Sequence, residues 1–406
     1  MKQFFAFTLL MPVLLFGALT FDTNHNKEIA LLESFDINPS FLNDPVLVNM
    51  RGKVSTRYYH RSFFGAMNEA YLFVPSVKKI LSESDVPVEF LFLAMAESNF
   101  STKAYSKKHA SGMWQFMPKT GKRYGLKIDD YVDERRDLVK SSDAAVRYLS
   151  KLHKRFGKWY LAAIAYNCGE GRLNRAIKKA GTDDLAVLLD PKKKYIPRES
   201  RLYIRKIVAL ALTGNDEAYL INSEYAHLLN RANAYSIATV KLSKGERLSR
   251  LSKILDMPHS DLKKLNRQLK YDFIPPYAKQ YDVYIPFIKL AEFKRNYKPA
   301  NLQQIYVVHT VKSGDNLSKL GKKYHVSYVV IKDFNNLSSS MLKLKQKLII
   351  PIDKPSANSN KDYIVKRGDT LSSIANQFQI KVARLKKINQ LKTSKIRIGE
   401  ALTIYD

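Results

Sequence analysis

A repeat in the C-terminal part of the chain constrains the fold most. The segment that begins at His309 aligns without gaps with the segment that begins at Tyr363, an offset of 54. A fainter copy carries a glycine, a leucine and an asparagine, each 69 residues before its counterpart in the first clear copy. The pairs that define the two clear copies are Gly314/Gly368, Asp315/Asp369, Leu317/Leu371, Asn335/Asn389, Leu337/Leu391 and Leu348/Leu402. A unit that recurs folds as one small supersecondary module, and each copy predicts a strand, a turn, two short helices and a second strand.

The chain before the repeats predicts a separate helical domain. Its apolar residues follow a largely helical spacing from Ser82 to Thr213. With 406 residues, two to four domains are expected. The predicted fold class is therefore α+β multidomain, with a mainly helical domain followed by small βααβ units. The predicted boundaries are residues 1–20 for a signal peptide or anchor, 21–75 for an N-terminal lead, 76–215 for the helical domain, 233–288 for the degenerate repeat, and 303–352 and 361–406 for the clear repeats.

The N-terminus and the charge predict an exported protein. Lys2 precedes an apolar run from Phe4 to Leu19, which is short for a membrane span and typical of a secretory signal. An uncleaved anchor is the alternative. The formal net charge of +31 predicts an anionic surrounding, and export favours an anionic cell envelope over nucleic acid. Cys168 is the one cysteine and the histidines are scattered, so no internal disulfide, metal site or cofactor is predicted.

Glu97 is the candidate catalytic group. Phe90, Leu93 and Ala94 precede it by seven, four and three residues, which places Glu97 on the apolar stripe of a helix. We expect that helix to start at the capping residues Ser84 and Asp85. An apolar surrounding disfavours the charged carboxylate and raises its pKa, as a general acid near neutral pH requires.

Four motifs support this interpretation. They are AESNF around Glu97, SGMWQFMPKTGKRYGL from Ser111, AYNCGEGR from Ala165 and YIPRESRLYI from Tyr195. Their order and spacing resemble the lytic transglycosylase family, and within it the membrane-bound D type, over about residues 73–213. The helical domain is therefore expected to be lysozyme-like. The three C-terminal units resemble LysM domains, which bind glycans that contain N-acetylglucosamine.

The resemblance implies cleavage of peptidoglycan with one carboxylic acid. Glu97 would protonate the oxygen that leaves N-acetylmuramic acid and then deprotonate the C6 hydroxyl of that sugar, which closes a 1,6-anhydro ring. Most glycosidases use two carboxylates, and Asp129, Asp130, Asp133 and Glu170 could each supply a second one. A hydrolytic muramidase therefore stays open as an alternative, as does a peptidoglycan-binding protein without activity.

The resemblance also assigns the sugar cleft. Ser98 would orient the acid, the Tyr166 hydroxyl would point at it, and Gly112 would permit a close backbone approach. The implied substrate-binding residues are Ser98, Ser106, Ser111, Gln115, Met117, Tyr166, Asn167, Glu199 and Tyr203. For Trp114, Phe116 and Tyr124 core packing is the favoured interpretation. Cys168 is expected to pack as a small hydrophobe.

In the LysM-like units, glycan would bind between the first turn and the loop before the second strand. The implied residues are Gly314, Asp315, Asn316, Leu317, Gly368, Asp369, Thr370, Leu371, Ile398 and Gly399. Lys345 stands where the last unit has Gly399, so we expect altered loop geometry and weaker binding in the middle unit. For the degenerate repeat, glycan binding and a packed spacer are both open.

Overall fold

The computed structural model describes residues 24–54, 57–216, 237–299, 304–353, 361–366, 368–378, 380–389, 391 and 393–404. The predicted signal segment, residues 1–20, lies outside them. The chain forms two compact units. The first takes in the described residues up to Val240 together with Leu248–Lys270 and Asp282–Tyr297. The second takes in Lys241–Arg247, Tyr271–Tyr281 and the described residues from Lys298 onward.

Helices build the first unit up to residue 216, as the apolar spacing predicts. They are α1 (residues 24–34), α2 (Pro45–Val54), α3 (Arg57–Glu69), α4 (Val74–Ser82), α5 (Leu91–Ser98), α6 (Pro118–Arg123), α7 (Leu138–Phe156), α8 (Trp159–Cys168), α9 (Glu170–Ala180), α10 (Leu185–Leu188) and α11 (Arg198–Gly214). Short 3-10 turns lie at Pro39–Asn43, Val88–Phe90 and Glu134–Arg136. Within the described ranges, no helix combines the length and the apolarity that crossing a bilayer needs.

The N-terminal segment packs into the core of the helical domain. Phe35 and Phe64 are fully buried in the same apolar cluster as residues of α5, α8 and α11. The Arg205 guanidinium on α11 donates two hydrogen bonds to the Asp44 carboxylate, at 2.9 and 2.7 Å. The residues expected to form a lead are therefore part of the fold that positions α11.

The three repeats share one backbone clamp. In each repeat, the side-chain amide of an asparagine after the second helix donates to a carbonyl of the preceding helical turn and to a carbonyl of the last strand. Its side-chain oxygen accepts a backbone N–H of the same strand. These asparagines are Asn266, Asn335 and Asn389. The elements are β1 (Ile237–Ser243), α12 (Leu248–Ile254), α13 (His259–Leu265) and β2 (Gln280–Pro286); β3 (Gln304–Thr310), α15 (Leu317–Tyr324), α16 (Tyr328–Phe334) and β4 (Lys347–Asp353); and β5 (Lys361–Ile364), α17 (Leu371–Gln377), α18 (Val382–Ile388) and β6 (Ala401–Ile404).

Each strand pair forms a two-stranded sheet. β3 pairs antiparallel with β4 from Gln304↔Asp353 to Thr310↔Lys347, and β5 pairs antiparallel with β6 from Lys361↔Ile404 to Ile364↔Ala401. One further helix, α14 (Leu290–Asn296), follows β2. The predicted βααβ order is confirmed.

The degenerate repeat contributes to both units. Its helices and most of β2 belong to the first unit, where the Tyr284 hydroxyl donates to the Asp137 carboxylate at 2.6 Å. In the same unit, Asp133 N–H donates to the Gln268 carbonyl at 2.8 Å. Its turn and return loop belong to the second unit. The spacer that the sequence left open is thus, in part, a packed layer on the helical domain.

The prediction of altered loop geometry in the middle repeat is wrong. Lys345 adopts a φ of 64°, close to the 87° of Gly399. Its N–H donates to Val311 O at 2.9 Å, as the Gly399 N–H donates to Val365 O at 2.8 Å. The lysine keeps the turn of the glycine and accepts the left-handed conformation that side chains disfavour.

Candidate active site

Glu97 lies at the end of a buried helix. α5 starts at Leu91, after a 3-10 turn, so the predicted start at Ser84 and Asp85 is wrong. Ser84 instead closes a turn with Leu81 and Val86. The apolar stripe is confirmed, since the three residues predicted beneath Glu97 are all fully buried: Phe90, Leu93 and Ala94.

The backbone turns sharply directly after the acid. Asn99 caps α5 with a φ of 52°, and Phe100 follows with a φ of 59°. Asparagine tolerates this left-handed region, but a buried phenylalanine does so at a cost of about 1–2 kcal/mol. Strain of this kind is often kept at functional sites, and here it fixes where the helix carrying Glu97 ends.

Tyr203 is the direct partner of the acid. Its hydroxyl, on α11, donates to Glu97 Oε1 at 2.6 Å. The prediction that the Tyr166 hydroxyl points at the acid is wrong, because it donates to the Trp114 carbonyl at 2.7 Å. Tyr166 nevertheless lies close enough for the charge of Glu97 to contribute to its raised pKa, after the larger effect of burial.

Opposing effects set the protonation of Glu97. Burial raises its pKa most, and the negative charge of Glu199 adds to that rise. The Tyr203 hydrogen bond and the Lys206 ammonium oppose it, and the pKa remains above its ordinary value. The carboxyl thus holds its proton more strongly than an ordinary glutamate, while the Tyr203 hydroxyl and the Lys206 ammonium stabilise its charged form.

Sequence reasoning missed Lys206. Its ammonium donates to the Ala96 carbonyl at 2.6 Å, next to the acid, and burial lowers its pKa. Glu199, Tyr203 and Lys206 follow each other by four and three residues, so they share one face of α11. That spacing could have identified the lysine from the sequence.

The cleft segment, residues 105–117, is a run of turns and isolated bridges that faces the end of α5. Bridges pair Ser111 with Tyr105 and with Phe116. The Ser98 hydroxyl donates to the Met113 carbonyl at 2.8 Å and so joins α5 to this segment. The predicted orienting role of Ser98 therefore has a geometric basis, through Met113.

Other predicted cleft residues also hold the segment. Gln115 has a φ of 48°, and its side-chain amide donates to the Gly112 carbonyl at 2.7 Å. Ser106 Oγ accepts from Ala110 N–H at 3.0 Å. Ser111 is fully buried and accepts from Arg136 at 2.9 Å, whereas Met117 is exposed.

Gly112 is required by a close approach. A Cβ at this position would lie 1.8 Å from the carbonyl oxygen of Arg135. Arg135 binds both carboxylate oxygens of Asp133 and donates to Phe116 O at 3.0 Å. The turn at Glu134–Arg136 therefore supports the cleft segment from behind, and the residues on either side of this turn, Asp133 and Asp137, contact the degenerate repeat.

Aromatic side chains form a cluster behind the cleft segment. Trp114 and Phe116 are buried, as predicted, and Tyr124 is half-buried. Tyr148, which the sequence did not single out, lies with its ring 5.0 Å from that of Tyr124 and 5.1 Å from that of Tyr166. Burial, together with the charge of Glu170, raises the pKa of Tyr148 to about 12.

The carboxylates considered as second catalytic groups have other contacts. Asp133 pairs with Arg135, and Glu170 pairs with Arg155 at 2.7 Å and with Lys151 at 3.6 Å. Asp129 accepts two backbone N–H groups of its own turn. The carboxylate whose charge acts on Glu97 is Glu199. On the other side of α11, Ser200 donates to the Asn167 side chain at 2.7 Å.

Comparisons with known proteins first define a class. Residues 76–188 match the transglycosylase SLT domain, and residues 309–351 and 363–404 match the LysM domain. The chain is therefore a lytic transglycosylase with LysM domains, which confirms the resemblance and the fold class. Both domain types associate it with the peptidoglycan of the cell envelope.

The comparisons then define the family. Residues 236–301 match the LysM-like domain of lytic transglycosylase MltD. Over 372 residues the chain is 31% identical to membrane-bound lytic murein transglycosylase D of Escherichia coli (strain K12), covering 86% of this chain and 78% of that protein. The chain belongs to the membrane-bound lytic murein transglycosylase D family.

Two further similarities cover less of the chain. The probable peptidoglycan endopeptidase LytE of Bacillus subtilis (strain 168) is 31% identical over 182 residues, which are 43% of this chain and 52% of that protein. The 70-kDa soluble lytic transglycosylase of Escherichia coli is 22% identical with a TM-score of 0.29, covering 37% of this chain and 25% of that one. The family assignment depends on the sequence matches.

Proposed function

We propose that this chain cleaves the β-1,4 bond between N-acetylmuramic acid and N-acetylglucosamine in peptidoglycan, with Glu97 as general acid and then general base. The observation that carries the proposal is the Tyr203–Glu97 hydrogen bond within a surrounding that raises the pKa of Glu97. A carboxylic acid with a raised pKa keeps its proton to a higher pH, and it can give that proton to the leaving oxygen.

The contacts of Glu97 suit both halves of this cycle. With Tyr203 donating to Oε1, the proton of the acid belongs on Oε2, from which it passes to the oxygen of the departing sugar. The C1–O bond of muramic acid then breaks, and the carboxylate is stabilised by Tyr203 and Lys206. Glu97 recovers a proton from the C6 hydroxyl while O6 bonds to C1, so the product is a 1,6-anhydro sugar and no water is consumed.

The cleft segment would bind and orient the glycan. We assign substrate contacts to the exposed or half-buried positions Ser106, Gln115 and Met117, which border the segment held opposite Glu97. Ser98, Ser111 and Asn167 instead bond to residues of other segments, namely Met113, Arg136 and Ser200, and so join those segments together. Their proposed part is therefore to position the cleft, and that of Glu199 is to keep Glu97 protonated.

The last two repeats would bind glycan. Their first turns and return loops keep equivalent backbone bonds, and Leu344 and Ile398 expose 68% and 69% of their surface at equivalent positions of the return loop. Exposed apolar side chains beside loop backbone suit the acetamido groups and sugar faces. The proposed site comprises Gly314, Asp315, Asn316, Leu317, Gly368, Asp369, Thr370, Leu371, Ile398 and Gly399.

The degenerate repeat would serve the fold instead. Its turn and its return loop hydrogen-bond to each other, from Gly245 N–H to Ile274 O at 2.9 Å and from Ile274 N–H to Glu246 O at 2.8 Å. Within the second unit, the Phe273 ring also packs 4.7 Å from that of Tyr306. The return loops of the two clear repeats bond to Val311 and Val365, three residues before the turn glycine, whereas here the bonds occupy the glycine and the residue after it, where a glycan would lie. We therefore assign this repeat no glycan site.

We place the enzyme in the cell envelope after export. The sequence of the N-terminal run and the net charge of +31 support this localisation. Attraction to an anionic envelope should weaken as salt rises, and it would add to the separate affinities of the two clear LysM domains.

The test is mass spectrometry of fragments released from purified sacculi by the chain without residues 1–20. Products lighter by one water and resistant to borohydride carry 1,6-anhydro ends and support the proposal. Glu97→Gln should lower the rate of release by about a thousandfold. Glu83→Gln, at an exposed position, is the control and should leave the rate unchanged. Reducible ends would identify a muramidase, and no release by the unaltered chain would indicate a binding protein.

A further inference from the structure

A basic groove lies on the helical domain, outside the contacts described for Glu97. Its volume is about 630 Å³, and it is lined by residues of α9, of the loop before α11 and of the start of α11. Tyr195 and Ile196 add an aromatic and an apolar side chain to the lining. The cationic lining residues are Arg172, Arg175, Lys179, Lys194, Arg198 and Arg201.

The positive charge of this groove is not neutralised by the fold. In the part of the chain that the structure describes, no carboxylate lines it and none of its six cations forms an ion pair. The contrast with α9 itself is informative, because Glu170 at its start is paired with Lys151 and Arg155. Cations gathered in a concave site without counterions repel each other, and an anionic ligand would relieve that repulsion.

The groove is built by the backbone. Lys194 has a φ of 53°, a left-handed conformation that a lysine disfavours, and it directs the loop that carries Tyr195 and Ile196. The Arg201 guanidinium is half-buried and donates to the Ile196 carbonyl at 2.8 Å. One guanidinium is thus anchored at the wall of the groove, while its other N–H groups remain available to a ligand.

α11 carries both residues that line the groove and residues that act on Glu97, which itself lies on α5. Arg198 and Arg201 line the groove, whereas Glu199 and Tyr203 act on Glu97. At about 1.5 Å and 100° per residue, Arg198 lies less than about 8 Å along the axis from Tyr203 and about 140° away around the helix. Because Arg198 is the first residue of α11, a group attached to a sugar bound beside Glu97 could reach the groove by passing around this end of the helix.

We propose that this groove binds the carboxylates of the peptide that peptidoglycan carries on muramic acid. This inference rests on the proposed function, since it extends the substrate from the glycan to its attached peptide. The peptide starts at the sugar whose bond is cleaved, and an extended chain advances about 3.3–3.6 Å per residue, so the carboxylates of a short peptide reach the groove. Guanidinium groups recognise carboxylates through paired hydrogen bonds.

The experiment compares three soluble glycan substrates with the full chain. The first bears uncrosslinked peptides, the second has lost them to an N-acetylmuramoyl-L-alanine amidase, and the third bears peptides whose carboxylates have been converted to methyl amides. The groove variant is Arg175→Glu with Lys179→Glu. Its matched control is Asn174→Glu with Lys178→Glu, on the same helix and with the same spacing, at exposed positions that do not line the groove.

The groove variant should lose about tenfold in kcat/KM on the first substrate and stay within about twofold on the other two. The control variant should stay near the unaltered chain on all three. Equal losses on the peptide-bearing and peptide-free substrates, or no loss on either, would overturn the inference. If the unaltered chain cleaves none of the three, the proposed function itself fails.

Discussion

Replacing Asp137 by asparagine should remove a pH dependence built into the contact between the helical domain and the degenerate repeat. Asp137 caps α7 by accepting the N–H groups of Val139 and Lys140, and it accepts the Tyr284 hydroxyl at 2.6 Å. It is fully buried. Asparagine caps a helix about as well as aspartate, so the substitution mainly removes a charge that the fold has taken out of water.

The magnitude follows from the pKa. Burial raises the pKa of Asp137 from 3.8 to about 6, against the opposing hydrogen bonds of Tyr284 and Lys140. The folded state therefore binds more protons than the unfolded state between these values. The stabilisation that the protonated carboxyl gives is present at low pH and is lost as pH rises to about 6. Two pH units at about 1.4 kcal/mol each amount to about 3 kcal/mol of unfolding free energy.

Tryptophan fluorescence isolates the relevant unfolding transition. The chain has two tryptophans, Trp114 and Trp159, and both are buried in the core of the helical domain. Denaturant unfolding of Asp137→Asn and of the unaltered chain, followed by this signal from about pH 3 to about pH 7.5, gives the difference in unfolding free energy at each pH. Other titrating groups cancel in that difference, which should shift in favour of the variant by about 3 kcal/mol as pH rises.

Two further variants sharpen the result. Asp184→Asn is the matched control, because Asp184 also caps a helix but is exposed, without the desolvation that the argument needs. Tyr284→Phe should enlarge the pH dependence of the chain, since it removes a hydrogen bond that lowers the pKa of Asp137. A difference between Asp137→Asn and the unaltered chain that does not change with pH would refute the reasoning.

Two predictions concern other sites. Tyr203→Phe removes a hydrogen bond that lowers the pKa of Glu97, so the alkaline limb of the kcat/KM profile should move to higher pH, with a loss of about tenfold in kcat. Tyr166→Phe is the control and should leave that limb in place, because the Tyr166 hydroxyl bonds to Trp114. An equal shift in both variants would contradict the assignment of Tyr203 as the partner of Glu97. Lys345→Gly removes the strain of a lysine in the left-handed conformation and should stabilise the middle LysM domain by about 0.5–1 kcal/mol. Slower hydrogen exchange of the strand amides of this domain would measure that gain, and Lys343→Gly in the same loop is the control. Unchanged or faster exchange in Lys345→Gly would show that Lys345 is not strained.

Features that depend on local periodicity could be predicted from the sequence. The apolar stripe beneath Glu97 follows from a spacing of three, four and seven residues. The repeated asparagine was found by alignment, and in all three repeats it makes the same bonds between helix and strand. In both cases the partners lie within one small motif, so the pattern of residues determines the contact.

Features that depend on packing between distant segments could not be predicted from the sequence. Tyr166 and Tyr203 are both near Glu97, and only the directions of α8 and α11 decide which hydroxyl reaches it. The N-terminal helices looked like a lead because no motif marks them, yet Asp44 is paired with Arg205 across 161 residues of sequence. For Lys345 the prediction failed in another way. The lysine replaces a glycine and suggested a different loop geometry, yet the backbone hydrogen bonds of the loop are the same as in the last repeat.

The contrast between two carboxyls whose pKa burial raises supports the acid–base role that we propose for Glu97. Burial raises the pKa of both Glu97 and Asp137, so a raised pKa alone does not select a catalyst. Asp137 Oδ2 has no hydrogen-bond partner among the described residues, and its other oxygen is committed to a helix cap. Glu97 has the Tyr203 hydroxyl on one oxygen and the Lys206 ammonium nearby, which favour its charged form once the proton has left. A group that must gain and lose a proton in every turnover needs a surrounding that stabilises both its protonated and its charged form. Of these two carboxyls, Glu97 has such a surrounding.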